Sequence, residues 1–120
     1  MKQQWIDLAV TDSRRIMENY WLGDPEYCIA RLDEQIDWTG SGEHEHKRCT
    51  REEMAELLRS YVQLNPPVYL TEAVYYPATV FQDGCAVFGT YIGQTEPDSG
   101  YLIRERQRVT FLWKLKGKSL

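Results

Sequence analysis

The chain has 120 residues and a mass of 14.1 kDa, which is room for one domain over residues 1–120 rather than two. Its 14 basic and 18 acidic residues give a formal net charge of −4, whereas nucleic-acid-binding domains usually carry a basic surplus. No apolar run reaches the roughly 18 residues that cross a bilayer, and the first residues lack the apolar core of a signal peptide. We therefore expect a soluble, cytoplasmic protein without nucleic-acid or membrane partners.

Two helices are predicted in the first third of the chain. Residues 3–22 carry apolar side chains near the 3.6-residue helical spacing, and Gly23 ends the pattern. Asp24 then supplies an N-cap, and Pro25 a first helical position, for a short helix that reaches about Leu32. The apolar stripe predicted for the first helix consists of Ile6, Val10, Met17 and Tyr20 or Trp21.

A third helix follows a brief strand over 35–39 and a turn-rich stretch over 40–42. Thr50 and Glu53 form a capping box, in which each side chain accepts a hydrogen bond from the other residue's backbone N–H. The helix is expected to end near Gln63, because the prolines that follow cannot continue it. Its apolar stripe consists of Met54, Leu57, Leu58 and Tyr61.

The hydrophobic period changes from 3.6 to 2 at Val68, which predicts strands over 68–81, 85–95 and 101–116. The Asp83-Gly84 pair predicts a type I′ hairpin turn with positive φ. Pro77 cannot donate to a strand ladder and predicts a bulge or bend. Helices followed by an antiparallel meander predict an α+β fold, with the helices packed on one face of a strongly curved sheet.

This element order resembles the NTF2-like superfamily, whose members adopt a cystatin-like cone. The Gly23-Asp24-Pro25 break, the strand ending in Asp37-Trp38-Thr39-Gly40 and the segment 108–114 are most similar to its SnoaL-like branch. The resemblance implies a pocket on the concave sheet face, a homodimer through the convex face, and a last strand after Gly117-Lys118 that this sequence lacks.

The same resemblance bears on catalysis. In the ketosteroid isomerases of this fold an Asp after the first strand is the general base, and Asp37 falls at that position. Ile16 and Val109 stand near the positions of the two oxyanion donors and cannot donate, so steroid isomerisation is not expected. Asp37 also alternates with Ile36 and Trp38, so an outward orientation is the alternative.

Glu105 and Gln107 interrupt the otherwise apolar face of the last predicted strand. A buried carboxylate needs a partner, a water or a ligand, so one interpretation places both in the pocket. The other interpretation is that this end of the strand is solvent-exposed. Trp38, Tyr76 and Tyr91 are expected either to line the same cavity or to be ordinary core residues, and their faces depend on the bulge at Pro77.

The segment 44–49 contains His44, His46 and Cys49, which invites a zinc interpretation. We predict no metal here, because a fourth ligand is missing. We also predict no cofactor. An exposed, charged loop near the pocket mouth is expected instead, and a catalytic His44 is the remaining alternative.

Arg104, Arg106 and Arg108 form a basic row at strand spacing. They are expected to form a ladder with acids such as Glu72 on the convex face, which would also hold the homodimer through interleaved residues such as Leu112. An anion or acidic-partner site is the alternative.

Three functional hypotheses follow. The first is a homodimeric binding or sensing module with a pocket for an apolar or amphipathic small molecule. The second is a cyclase-, isomerase- or dehydratase-type enzyme that uses Asp37, His44 or His46, or Glu105 as acid–base groups. The third is an oligomerisation module whose cone is filled by side chains, including Trp38, Phe111 and Trp113.

Overall fold

The computed structural model of the chain describes residues 1–39, 46–64, 66–95 and 103–115, without the side chains of His46 and Ile103. Within these ranges the predicted helices and strands occur in the predicted order, together with one strand, His46–Thr50, that was not predicted. The elements are α1 (Gln3–Trp21), α2 (Glu26–Ile29), β1 (Gln35–Thr39), β2 (His46–Thr50), α3 (Arg51–Leu64), β3 (Tyr69–Val80), β4 (Gly84–Thr95) and β5 (Ile103–Lys114).

The predicted α+β class is confirmed. The strands β3, β4 and β5 form an antiparallel sheet in that order, and β1 and β2 form a separate antiparallel pair. Helix α1 packs on β3 and β4, α3 packs on β1 and β2, and α2 lies against α1 and α3. Helix α1 therefore covers one face of the three-stranded sheet, on the side that the alternation of the strands predicts.

The loop predicted over 44–49 is wrong where the structure describes it. Residues 46–50 form β2, which pairs with β1 in a register that places Ile36 opposite Cys49 and Asp37 opposite Arg48. These cross-strand pairs join apolar to apolar and acid to base, which stabilises a short hairpin. His44 lies outside the described residues.

The β3–β4 hairpin forms, but its turn is not the predicted type I′. The backbone N–H of Phe81 donates to the carbonyl oxygen of Gly84 over 2.8 Å. Among the described residues, positive φ occurs at Gly23 and Glu72 and not in this turn. A Cβ at Gly84 would collide with the backbone carbonyl oxygen of Trp113, so close approach of β5, rather than turn conformation, requires glycine here.

Strand β3 is irregular at two places. The bulge predicted at Pro77 is confirmed by a register shift between Pro77 and Thr79. A second shift, between Thr71 and Val74, was not predicted, and Glu72 within it has φ of 51°. This second bulge changes which residues of β3 face the helices.

The helix termini follow their capping signals. The backbone N–H of Thr50 donates to Glu53 Oε1 over 3.1 Å, and that of Glu53 donates to Thr50 Oγ1 over 3.2 Å, which confirms the capping box. The backbone N–H of Glu26 donates to Asp24 Oδ1 over 3.0 Å, but α2 ends at Ile29 rather than near Leu32.

Two clusters of buried side chains form the core, and α1 contributes to both. The first joins the three helices, and the second joins α1 to the sheet. The first contains Ile16, Cys28, Ile29, Met54, Ala55 and Leu58, and the second contains Ala9, Tyr75, Cys85, Val87 and Tyr91. Because α1 lies between them, its side chains must satisfy packing on two sides.

Candidate functional site

A hydrogen-bonded chain of side chains crosses from the end of α1 to the surface of β5. The indole Nε1–H of Trp21 donates to the Tyr91 hydroxyl over 3.1 Å, and that hydroxyl donates to Gln107 Oε1 over 2.8 Å. Gln107 Nε2 then donates to Glu105 Oε2 over 3.3 Å. We call these four residues the Trp21–Glu105 chain.

The strand register and the end of α1 position the four residues of the Trp21–Glu105 chain. Tyr91 and Gln107 are opposite each other in the β4–β5 register, and Glu105 is opposite Gly93, so all three lie on one face. Trp21 is the last residue of α1, and its carbonyl oxygen accepts a hydrogen bond from the backbone N–H of Val68 over 2.8 Å. That bond fixes the end of α1 beside the start of β3.

Burial determines which atom holds the Tyr91 proton within the Trp21–Glu105 chain. Tyr91 is 2% exposed, and desolvation raises the pKa of its phenol, while the hydrogen bond from Trp21 opposes the rise. The hydroxyl therefore keeps its proton at neutral pH and donates it to Gln107. Glu105 is exposed to solvent, so the chain runs from a buried donor to a hydrated acceptor.

Trp21 also lines a groove of about 220 Å³. Its walls are aromatic rings and prolines, and Tyr20 and Trp21 pack edge to face with ring centroids 5.2 Å apart. Pockets for drug-sized ligands have volumes of roughly 300–1,000 Å³, so this groove is smaller than such a pocket. It is lined by Tyr20, Trp21, Gly23, Tyr61, Val62, Pro66 and Pro67.

Of the five residues predicted to bind a ligand, the structure brings three together. Tyr91, Gln107 and Glu105 belong to the Trp21–Glu105 chain. Trp38 lies on β1, in the other sheet, and packs against the cluster that joins the helices. Glu105 is exposed to solvent, which is the second of the two interpretations, whereas Gln107 is half-buried.

Tyr76 does not share a face with Tyr91, contrary to the expectation that both line one cavity. Tyr76 is opposite Phe88 in the register, with ring centroids 6.1 Å apart, and 48% of it is exposed. Its neighbour Tyr75, opposite Gly89, is the tyrosine that faces α1. The bulge between Thr71 and Val74 shifts the alternation, and a shift of one residue exchanges the two faces.

Asp37 lies on the exposed face of β1. Arg48 Nε and Nη2 donate to its two carboxylate oxygens over 3.0 and 3.3 Å, and 57% of the Asp37 side chain is exposed. This is a bidentate surface ion pair, the outward orientation that the alternation of β1 allowed. Within the described residues, no cluster of three or more His, Cys, Asp and Glu side chains is placed to hold a metal ion.

Buried polar residues of α1 were missed by the sequence analysis. Ser13 is fully buried, donates to the carbonyl oxygen of Ala9 over 2.7 Å, and accepts the indole N–H of Trp113 over 2.7 Å. Asp12 accepts hydrogen bonds from Tyr27 over 2.6 Å and Arg31 over 3.1 Å. The signal was available, because Asp12 and Ser13 occupy the turn between Ala9 and Ile16 on the buried side of the helix.

The sheet face turned away from α1, which we call the outer face, is partly apolar and partly basic. Arg106 Nη2 donates to Glu72 Oε2 over 3.2 Å, so the expected contact between the basic row and Glu72 is confirmed at this position. Large apolar side chains on this face are exposed, among them Val74, Tyr76, Phe88 and Leu112.

Comparisons with known proteins do not assign the chain to a family. No protein-family profile matches the sequence, and no curated protein matches it. In the part of the chain that the structure describes, no helix is both long and apolar enough to span a bilayer. The structure therefore defines an α+β protein, and its function is argued from the site alone.

Proposed function

We propose that this chain is a SnoaL/NTF2-like binding or sensing module that takes an apolar or amphipathic small molecule in the groove beside Trp21. One observation carries the proposal: Trp21 forms a wall of the groove and is also the first donor of the Trp21–Glu105 chain. The proposal includes the cone architecture, a cytoplasmic location and a homodimer.

The groove suits a flat apolar group. Aromatic rings and proline rings offer large contact areas with little loss of side-chain freedom on binding. Near the groove, Lys47 Nζ lies 3.5 Å from the hydroxyl of Tyr61, which supplies a polar edge. A ligand with one ring and one polar group would therefore bury its ring and keep its polar group hydrated.

The hydrogen bond of Trp21 supports a sensing role. A ligand that moves the indole changes the 3.1 Å contact with Tyr91, which lies in the central strand of the sheet. Tyr91 is in turn bonded to Gln107 on β5, so an event in the groove would reach both strands. Binding and a change in the sheet would then be coupled through one side chain.

The homodimer is proposed through the outer face. Exposed contiguous apolar side chains on a soluble domain commonly mark an interaction surface. Here Leu112 on β5 is 78% exposed and Val74 on β3 is 56% exposed, and the aromatic pair Tyr76 and Phe88 lies on β3 and β4 of the same face. A second copy of the same face would cover these side chains and leave the basic row at the rim.

The enzyme alternative has no described geometry in its favour. Asp37 and Glu105 lie in different sheets, and both side chains are exposed. The oligomerisation alternative has one supporting observation, because Trp38, Phe111 and Trp113 pack against the core. It predicts the same dimer without a ligand.

Native mass spectrometry of the freshly purified protein tests the proposal. We expect a dimer that carries additional organic mass, and we expect Tyr61→Ala to lose that mass while Tyr69→Ala, an exposed tyrosine outside the groove, retains it. A dimer with no bound molecule would favour the oligomerisation module. A monomer would overturn the dimer.

A further inference from the structure

Strand β5 forms one edge of the three-stranded sheet. It pairs with β4 along its whole length, from Ile103 opposite Thr95 to Lys114 opposite Gly84, in one unbroken register. Among the described residues, no strand pairs with the other side of β5. A regular edge strand presents a row of unpaired backbone groups, to which another extended chain can add.

The opposite edge of the sheet, β3, is unsuited to strand addition. Its register shifts twice, between Thr71 and Val74 and between Pro77 and Thr79, and a proline has no N–H to donate. Glu72 has a φ of 51°, which takes the backbone out of the extended conformation. Bulges and prolines are devices that protect a sheet edge, and β5 contains neither.

The three arginines of the basic row direct their backbone groups to the free edge. In an antiparallel pair, every second residue directs its N–H and C=O at the neighbouring strand, and the residues between direct theirs away. The N–H of Leu115 donates to the backbone carbonyl oxygen of Asp83 over 2.6 Å, so the odd-numbered residues of β5 bond to β4. The backbone groups of Arg104, Arg106 and Arg108 therefore point away from β4.

Positive charge is concentrated along this edge, although the chain as a whole has a formal net charge of −4. All three arginine side chains are exposed. Arg106 is paired with Glu72, whereas Arg104 and Arg108 have no hydrogen bond or ion pair with a side chain in the part of the chain that the structure describes. Glu105 lies on the opposite face, in the Trp21–Glu105 chain. Two unpaired guanidinium groups therefore stand at the free edge of the sheet.

We propose that the free edge of β5 binds an acidic, extended segment of another protein, which adds to this sheet as a fourth strand. Backbone hydrogen bonds hold the segment against β5, and acidic side chains at every second position face Arg104 and Arg108. The same charges disfavour a second copy of β5, because pairing the two basic stretches places like charges opposite each other. The site is separate from the groove beside Trp21, and it lies at the rim of the proposed dimer.

The residues between the acids face the other side of the sheet. There the added strand meets Val109 and Phe111, whose side chains are only partly buried against the core. Small β-branched residues suit these positions, because they favour the extended conformation and add apolar contact. The ligand is therefore a segment in which acidic and β-branched residues alternate.

Two fluorescein-labelled octapeptides test the proposal by fluorescence anisotropy, one alternating glutamate with threonine and the other lysine with threonine. We expect the full chain to bind the glutamate peptide and not the lysine peptide. Arg104→Glu/Arg108→Glu should weaken binding about tenfold or more, because two attractive contacts become repulsive. The matched control, Lys2→Glu/Arg15→Glu, makes the same change of charge at two exposed residues near the N-terminus and should leave binding unchanged.

Backbone methylation of the peptide separates strand addition from attraction by charge alone. The glutamate peptide with every backbone nitrogen methylated keeps its charges and loses its backbone donors, so wild type should bind it about tenfold or more weakly. Equal binding of the two forms overturns strand addition. Failure of wild type to bind the glutamate peptide, or equal binding by Arg104→Glu/Arg108→Glu, overturns the site.

Amide hydrogen exchange locates the bound peptide on the sheet. Because the N–H groups of Arg106 and Arg108 point to the free edge, the glutamate peptide should slow their exchange with solvent. Exchange at these two positions that is unchanged at saturating peptide overturns the proposal. None of these results depends on the groove beside Trp21, so the proposed function stands or falls separately.

Discussion

Gly89→Ala is the substitution for which the structure gives the sharpest expectation. The added methyl group would lie 2.6 Å from two ring carbons of Tyr75 and 3.1 Å from Cγ1 of Val109. Contacts of 2.6 Å between carbon atoms are far inside van der Waals distance, so the ring must move. Because Tyr75 is 8% exposed and lies beneath Arg14, it cannot move without losing contacts.

The expected cost follows from two opposing effects. Overpacking a buried site typically costs about 1–3 kcal/mol. Replacing Gly by Ala restricts the unfolded chain and returns about 0.4–1 kcal/mol. We therefore expect Gly89→Ala to lower the free energy of unfolding by about 1–2 kcal/mol.

Urea unfolding followed by circular dichroism measures this loss as a lower midpoint at unchanged slope. Gly93→Ala is the control, because its added methyl group meets the end of the Val68 side chain at 3.0 Å, which can yield. In a Tyr75→Ala background most of the cost of Gly89→Ala should vanish. An unchanged midpoint in Gly89→Ala, or an equal loss in both backgrounds, would refute the described position of the Tyr75 ring.

Three further predictions address the core, a helix terminus and the outer face. Ser13→Ala should lower the free energy of unfolding by about 1–3 kcal/mol in urea titrations, because the Trp113 indole N–H loses its acceptor, and Trp113→Phe should remove most of that cost. The hydrogen bonds from Thr50 lower the pKa of Glu53 below its ordinary value of 4.5, so the contact stabilises the fold above pH 4.5. This stabilisation is lost as the pH falls through the lowered pKa. The difference in urea midpoint between wild type and Glu53→Gln should therefore be present at pH 7 and smaller at pH 3. Leu112→Lys should convert the proposed dimer to a monomer in light scattering while the far-ultraviolet spectrum is retained, and a dimer that persists would contradict the outer-face interface.

The local signals in the sequence predicted most of the secondary structure. The capping box at Thr50, the bulge at Pro77 and the alternation of β5 depend on neighbouring residues, and each appears in the structure. Strand β2 was missed because its polar residues have no apolar alternation of their own. Its pairing with β1 depends on cross-strand contacts such as Asp37 with Arg48, which the sequence does not show.

The site was only partly predictable for a related reason. The polar interruption of an apolar face indicated Gln107, and the area and polar tip of its ring indicated Tyr91; the register places the two opposite each other. Tyr76 was selected instead of Tyr75, because the bulge between 71 and 74 depends on a positive φ at Glu72 rather than on a Gly or Pro signal. Trp21 was assigned only to the apolar stripe of α1, since its hydrogen bond crosses 70 positions of the chain.

The most direct test of the binding site is the indole N–H resonance of Trp21 in a ¹H–¹⁵N correlation spectrum. The chain has four tryptophans, and Trp21→Phe identifies the resonance by its disappearance. On titration with benzoate, the account predicts that the Trp21 resonance shifts progressively to saturation, and that Tyr61→Ala weakens this response. A Trp21 resonance that stays fixed throughout the titration, or that shifts equally in Tyr61→Ala, would contradict the claim that the groove beside Trp21 is a binding site.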